Sequence, residues 1–194
     1  RQSQSFIDTS SRENYLFNSK INGIEESDLI LLIGANPRYE ATMINARIRK
    51  AYLNNKTNII SLNNVGDLTY PYKNLDGKTQ TFKDIVENKH EISKSILASR
   101  KPMIILGESF LKNKSAEFLF NSLKNFLSKN TKYSDNWNPI NILSTDAATV
   151  GNFDLDIVST DRELLNELNE NKFELIYLLG QDNLNFKKNN EFII

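Results

Sequence analysis

The hydrophobic pattern along this chain is a series of short apolar runs, each stopped by a glycine. Leu29 to Ile33, Met103 to Leu106 and Leu175 to Leu179 are unbroken, and they close on Gly34, Gly107 and Gly180. An uninterrupted run of four or five apolar residues predicts a strand buried on both faces, as in a parallel sheet covered by helices. Asn58 to Leu62 predicts another strand, and Asn141 to Leu143 is either a short strand or a helix start. The best-defined unit is residues 28–40. Gly34 lets the backbone turn sharply, Asn36 can cap the next helix, and Pro37 sits at a first-turn position that needs no N–H donor. Strand, tight loop and helix follow one another there. In an open α/β sheet such loops, at the carboxyl ends of strands, are where ligands bind.

Helical spacing fills the intervals. After Pro37, Met43, Ile44, Ile48, Ala51 and Tyr52 recur every three or four residues and predict one apolar face. Arg47, Arg49 and Lys50 lie on its other side and have two readings: a solvated helix end or a protein-partner surface. Gly23 to Ser27 reads as a short helix, Thr81 to Val86, Glu91 to Ser99 and Arg162 to Asn169 as longer ones. Ala116 to Ser128 is amphipathic, with Phe118, Leu119, Leu123, Phe126 and Leu127 predicted on one side. Asn63 to Asp67 reads as a loop, Leu68 to Tyr72 as extended, Asp76-Gly77 as a turn, and Lys129 to Pro139 as a polar connector holding Trp137. Alternating strands and helices predict a doubly wound, mostly parallel α/β fold. The spacing of the glycines and the break at Pro102 further predict two related Rossmann-like lobes, residues 1–99 and 100–194.

Composition narrows the chemistry. Lys+Arg and Asp+Glu are both 24, giving a formal net charge of zero and no electrostatic reason to expect nucleic acid or an acidic membrane as partner. No apolar run is long enough to cross a bilayer, and no signal-peptide pattern opens the chain. The sequence holds no cysteine and one histidine, His90, so thiolate zinc sites, cysteine-held iron-sulfur clusters, disulfides and cysteine nucleophiles cannot be built from it. The wealth of Asn, Lys and Ile suits an AT-rich gene of an organelle or endosymbiont. The first residue is Arg, which fits a processed chain or a piece of a longer one.

Candidate motifs fare poorly. Gly107-Glu108-Ser109 follows a strand, as a nucleophile elbow does, but the second glycine is missing and His90 precedes the serine. The Gly34 loop matches neither Gly-x-x-x-x-Gly-Lys-Ser/Thr nor Gly-x-Gly-x-x-Gly. Asp154 with Asp156, or Glu25 with Glu26, would bind a hard cation only if they converged, and neighbours in sequence usually diverge. Tyr70, Tyr72 and Trp137 would make a base-stacking platform only with basic residues interleaved, so they are expected to be core or interface aromatics.

The block from Glu25 to Ala41, followed by Asn45 to Lys50, resembles the family of the large iron-sulfur subunit of respiratory complex I, the NADH:ubiquinone oxidoreductase. The resemblance continues in order through Gly66 to Tyr70, Lys101 to Gly107, Trp137 with Asn141 to Leu143, and Leu178 to Asp182. Its first block is specific; the later ones would be weak alone. It implies a molybdopterin oxidoreductase-like fold, which in true molybdoenzymes holds a guanine-dinucleotide pterin. Gly34, Asn36 and Pro37 resemble the first pterin-nucleotide loop. The second loop, which there carries Asp-Pro-Arg, is Leu62-Asn63-Asn64-Val65-Gly66 instead, and Arg38 and Tyr39 add bulk beside the first. The resemblance therefore implies a vestigial site, with no catalytic, cofactor-binding or metal-binding residue in use.

The function so implied is a non-catalytic scaffold in the matrix-side peripheral arm at the mitochondrial inner membrane, or at the cytoplasmic face of a bacterial one. Its partners would be other complex I subunits, above all the ferredoxin-like part that carries the iron-sulfur clusters, which a separate chain or a missing N-terminal part would supply. Nucleic acid and a direct membrane span are not expected. The alternatives are a piece of a working molybdopterin oxidoreductase and a stand-alone module binding a small ligand.

Overall fold

The computed structural model describes residues 6–129, 133, 136–144, 147–157, 161–170, 172–179 and 192–194. Two 3-10 turns, Arg12–Asn14 and Asn22–Glu26, lead into β1 (Leu29–Ile33), α1 (Pro37–Glu40) and α2 (Thr42–Asn55). Next come β2 (Asn58–Ser61), β3 (Lys73–Asn74), α3 (Thr79–Val86), α4 (Glu91–Ala98), β4 (Pro102–Leu106), α5 (Glu108–Leu111) and α6 (Ala116–Leu127). The chain continues through β5 (Ile140–Ile142), α7 (Thr149–Asp154), α8 (Asp161–Asn169), β6 (Leu175–Ile176) and β7 (Phe192–Ile193). No described helix is long and apolar enough to cross a membrane.

Five strands form one parallel sheet in the order β3-β2-β1-β4-β5. Connections from β1 run outward one way and those from β4 the other, so the strand order reverses between β1 and β4. Side chains of β1 alternate between two cores. Leu29, Leu31 and Ile33 face Phe82, Ile96, Phe120 and Phe126 from α3, α4 and α6. Ile30 and Leu32 face Ile24, Ile44 and Ile48 from the second 3-10 turn and α2. Helices thus cover both faces, on opposite sides for connections of opposite direction, as a uniform crossover hand requires. Every residue of β1 and β4 is buried, which is why these strands read as unbroken apolar runs.

The sheet passes straight through the lobe boundary expected at 99/100, since β1 pairs with β4 from Leu29↔Pro102 to Ile33↔Leu106. The carboxylate of Asp28 reinforces that join by accepting from the Ser99 hydroxyl and from the Arg100 and Lys101 backbone N–H groups. Pro102 opens a central strand instead of separating lobes. The compact units are Ser5–Asp154 and one drawn from Leu155–Ile194, where β6 and β7 form a separate parallel pair.

Four predicted elements change in detail. The helix expected from Pro37 is interrupted at Ala41, whose φ of −153° is extended, so α1 and α2 are distinct. Met43 and Phe118, assigned to apolar faces, point to water, because a helical period of 3.6 places them across the helix from buried Ile48 and Leu127 respectively. Asn141 lies in a strand, β5, and Leu175 to Leu179 is strand only over Leu175–Ile176. Gly180 lies outside the described residues.

The outer edge of β5 is covered by the segment Leu16 to Ser19. Phe17 bridges Asn141 antiparallel, Ile142 N–H donates to Leu16 O, and the Asn141 side-chain oxygen accepts from Ser19 N–H. The edge thereby loses its unpaired groups.

Candidate functional site

The strand-order reversal between β1 and β4 is where an open α/β sheet parts its loops and binds a ligand outside the carboxyl ends of the strands. Here the loops have closed on each other. Gly34, at φ +61°, would place a Cβ 2.5 Å from the backbone nitrogen of Phe110. Gly107 has ordinary extended geometry, yet a Cβ there would lie 2.2 Å from the Gly34 carbonyl oxygen and 2.6 Å from Ala35 Cα. Gly107 N–H donates to Ile33 O at 3.0 Å. Both glycines are therefore needed so that backbone can meet backbone between the loops after β1 and β4. Phe110 fills the flank and packs against Phe82 with ring centroids 5.9 Å apart.

Asn36 does not cap α1, contrary to expectation. Its side-chain amide donates instead to Val65 O at 3.0 Å in the loop after β2, and its Oδ1 is buried without a hydrogen-bond partner. Pro37 does take the first helical position. Arg38 spans the same gap, donating to the Asp67 carboxylate at 2.7 Å and to Asp67 O at 2.5 Å. The Thr69 N–H and then Arg38 hold the Asp67 carboxyl below its ordinary range. Deeper in, Asn45 donates to Leu68 O and accepts from the Tyr70 hydroxyl at 2.8 Å, and burial pushes that hydroxyl's pKa up. The loops after β1 and β2 are thus tied together by hydrogen bonds from Asn36 and Arg38.

A cavity of about 130 Å3 remains beside the sealed loops, lined by Gly34, Asn63, Lys78, Thr79, Ser109 and Phe110 among others. Sites for drug-sized ligands run to roughly 300–1,000 Å3. Its cation, Lys78, pairs with Asp76 at 3.3 Å. Two carboxylates stand nearby on the short helices, Glu40 on α1 and Glu108 on α5. Glu40 is exposed as a residue, but partial desolvation of its carboxyl raises its pKa, the Asn36 N–H opposes that rise, and the like charge of Glu108 adds to it. Carboxylates in the first turns of these helices already serve the positive ends that would draw a phosphate.

The other sequence candidates are brought together with structural partners. His90 caps α4, its Nδ1 accepting from Ile92 N–H at 3.2 Å, and among the described residues no hydrogen bond joins it to Ser109. Glu25 pairs with Arg47 and Lys50, whereas Glu26 pairs with Lys101. Asp154 accepts from Arg12 and Tyr15, which hold its carboxyl low. Among the described residues no group of three or more His, Cys, Asp or Glu is placed to hold a metal ion. Tyr70 is buried, Trp137 donates to Pro102 O at the start of β4, and the Tyr72 hydroxyl donates to Gly66 O, so the three do not form a stacking platform.

This is a doubly wound α/β domain of dinucleotide-binding topology in which the loops after β1 and β4 meet backbone to backbone. The molybdopterin oxidoreductase family matches it along residues 1–194, and the chain belongs to that family. It is 38% identical over 185 residues to the NADH-ubiquinone oxidoreductase 75 kDa subunit of Reclinomonas americana, covering 94% of this chain and 27% of that protein. Identity to the mitochondrial 78 kDa subunit of Candida albicans is 34%, over 91% of this chain and 24% of that protein. The corresponding subunit of Neurospora crassa is 32% identical over 90% of this chain and 23% of its own length. The chain spans about a quarter of the length of these curated relatives.

The family resemblance read from the sequence therefore holds, and with it the α/β class. The family's name raises a pterin cofactor, and the residues present do not fit one. The glycine cradle is filled by Phe110 and Ala35, the cavity is small, and Arg38 and Lys78 are each engaged by an aspartate. Sequence reasoning found the Gly34 loop but missed that Gly107 faces it. The signal was available in two strand-ending glycines, but only the pairing of β1 with β4 brings them together.

Proposed function

We propose that this chain is a non-catalytic scaffold of NADH:ubiquinone oxidoreductase, built on a molybdopterin-enzyme fold whose cofactor has been lost. The observation that carries this reading is the close approach of Gly107 to the Gly34 carbonyl, backbone against backbone, where the strand order reverses. The names of its relatives support assembly with other subunits of that complex, and two of them are named as mitochondrial. We place the chain in the matrix-side peripheral arm of the mitochondrial inner membrane, against the part that carries iron-sulfur clusters. With no cysteine of its own, it holds that part without thiolates to ligate the clusters.

Two measurements test this. On native gels of gently solubilised mitochondrial membranes, the chain should co-migrate with NADH dehydrogenase activity at high mass. If it runs only at low mass, apart from that activity, the scaffold reading fails. Elemental analysis of the purified chain should find molybdenum and tungsten far below one atom per chain. A near-stoichiometric content of either would restore the enzyme reading.

A further inference from the structure

We propose that the exposed face of the β6–β7 pair is covered by an amphipathic helix, drawn from polypeptide that corresponds to the part of the relatives' length outside these 194 residues. Alternate side chains of β6 have opposite fates: Ile176 is buried, whereas Leu175 and Tyr177 on either side of it are 56% and 59% exposed. Partners in a parallel pair put their side chains on the same face, and Leu175 is paired with Phe192. Ile194 donates its N–H to Ile176 O and accepts from Leu178 N–H, so it stands opposite Tyr177. Phe192 is 67% exposed and Ile194 56%. Leu175, Tyr177, Phe192 and Ile194 thus form one contiguous face of two cross-strand pairs, with no charged side chain among them. The want of cover is local. Among the described residues thirteen large hydrophobics are exposed, and eight of them lie in residues 155–194 against five in 5–154. The exposed Phe118 on α6, by contrast, stands singly and requires no partner.

Strand direction identifies the occupant. Parallel strands occur with both faces covered, because the connections between them are helices that lie on those faces. The five-stranded parallel sheet of this chain follows that rule, with α2 on one face and α3, α4 and α6 on the other. The cover that two ranks of uncharged side chains accept is therefore a helix with apolar residues at three- and four-residue spacing. The relatives hold polypeptide to supply it, since this chain matches about a quarter of their length and the remainder has no counterpart in these 194 residues. A second copy would set sheet against sheet, which is the packing of antiparallel sandwiches. A lipid surface is a poorer match. Along residues 172–179 and 192–194 the one cation is Lys172, which pairs with Glu170 at 3.0 Å and leaves no basic rim to draw anionic headgroups. The face alone requires this cover, so cross-linking at it and co-migration with NADH dehydrogenase activity can fail independently.

The test is made in the intact assembly, with p-benzoylphenylalanine replacing Tyr177. On irradiation its benzophenone takes a hydrogen from an aliphatic C–H group in contact with it and bonds to that carbon. The link should run to a peptide from the part of the relatives' length outside these 194 residues, one whose apolar residues recur every three or four positions. Absence of a link would overturn the proposal, as would links only within the 194 residues, to a second copy, to lipid or to a polypeptide unrelated to those relatives. With the same probe in place, Leu175→Asp should lower the yield of the link at least tenfold while the melting temperature of the purified chain is unchanged. Phe118→Asp should leave the yield unaltered. An undiminished yield from Leu175→Asp, or an equal loss from Phe118→Asp, would also overturn it.

Discussion

Strands β1, β4 and β6 grow from the same sequence sign, an apolar run ending at a glycine, and they end in opposite situations. Every side chain of β1 and β4 is buried between two layers of helix. In β6 only Ile176 is buried, while Leu175 and, just beyond it, Tyr177 and Leu179 are exposed. An apolar run records that a strand requires cover; it does not record what supplies it. For β1 and β4 the cover is encoded within the chain, as α2 on one side and α3, α4 and α6 on the other. A two-stranded parallel pair buries too little by itself to be independently stable.

That contrast can be broken at its strongest point. Gly107→Ala should cost more than about 4 kcal/mol or abolish folding of the five-stranded unit, because the new Cβ meets backbone that cannot yield. Urea unfolding checks this, and a loss under about 1 kcal/mol would mean the loops are not locked. Next in size, Ile104→Ala in β4 should cost roughly 2–5 kcal/mol, whereas Leu179→Ala should stay within about 0.5 kcal/mol. Equal losses at the two sites would erase the distinction between the strand pairs.

Smaller effects sharpen it. His90→Ala should destabilise by about 1 kcal/mol through loss of the α4 cap, and His90→Asn should restore most of that in thermal melts. The least effect comes from Glu25, whose pKa is lowered by hydrogen bonding from Lys50 and by the neighbouring Arg47. A carboxylate depressed in the folded state contributes stability above its unfolded pKa and loses it as pH falls through the folded value. Melting curves of Glu25→Gln should therefore lie below wild type at neutral pH and converge with it in acid. Curves offset equally at every pH would remove the ion pairs from the account.

Much of the fold was legible because it is local. Leu29 to Ile33 coincides with β1, and Met103 to Leu106 with all of β4 but its first residue, since burial on both faces leaves continuous apolar runs. The Gly34 turn and the placement of Pro37 were legible for the same reason. What escaped depends on distant partners. Asn36 looked like a cap, but Val65 O competes for its amide. Arg38 looked like obstructive bulk and is a tie to Asp67. The seal between Gly34 and Gly107 joins residues that share no sequence window, as do the halves of the sheet that pass through Pro102.

The segment that covers β5 has a consequence for synthesis and folding. Leu16 to Ser19 are made before their partners Asn138 to Ile142, which follow more than a hundred residues later. β1 likewise waits for β4 to fill its second edge. Pairings of such long sequence separation are slow to form and close only after much loop entropy has been lost. Until residue 142 is made, the first strand of the sheet has one open edge and the strap has nothing to hold.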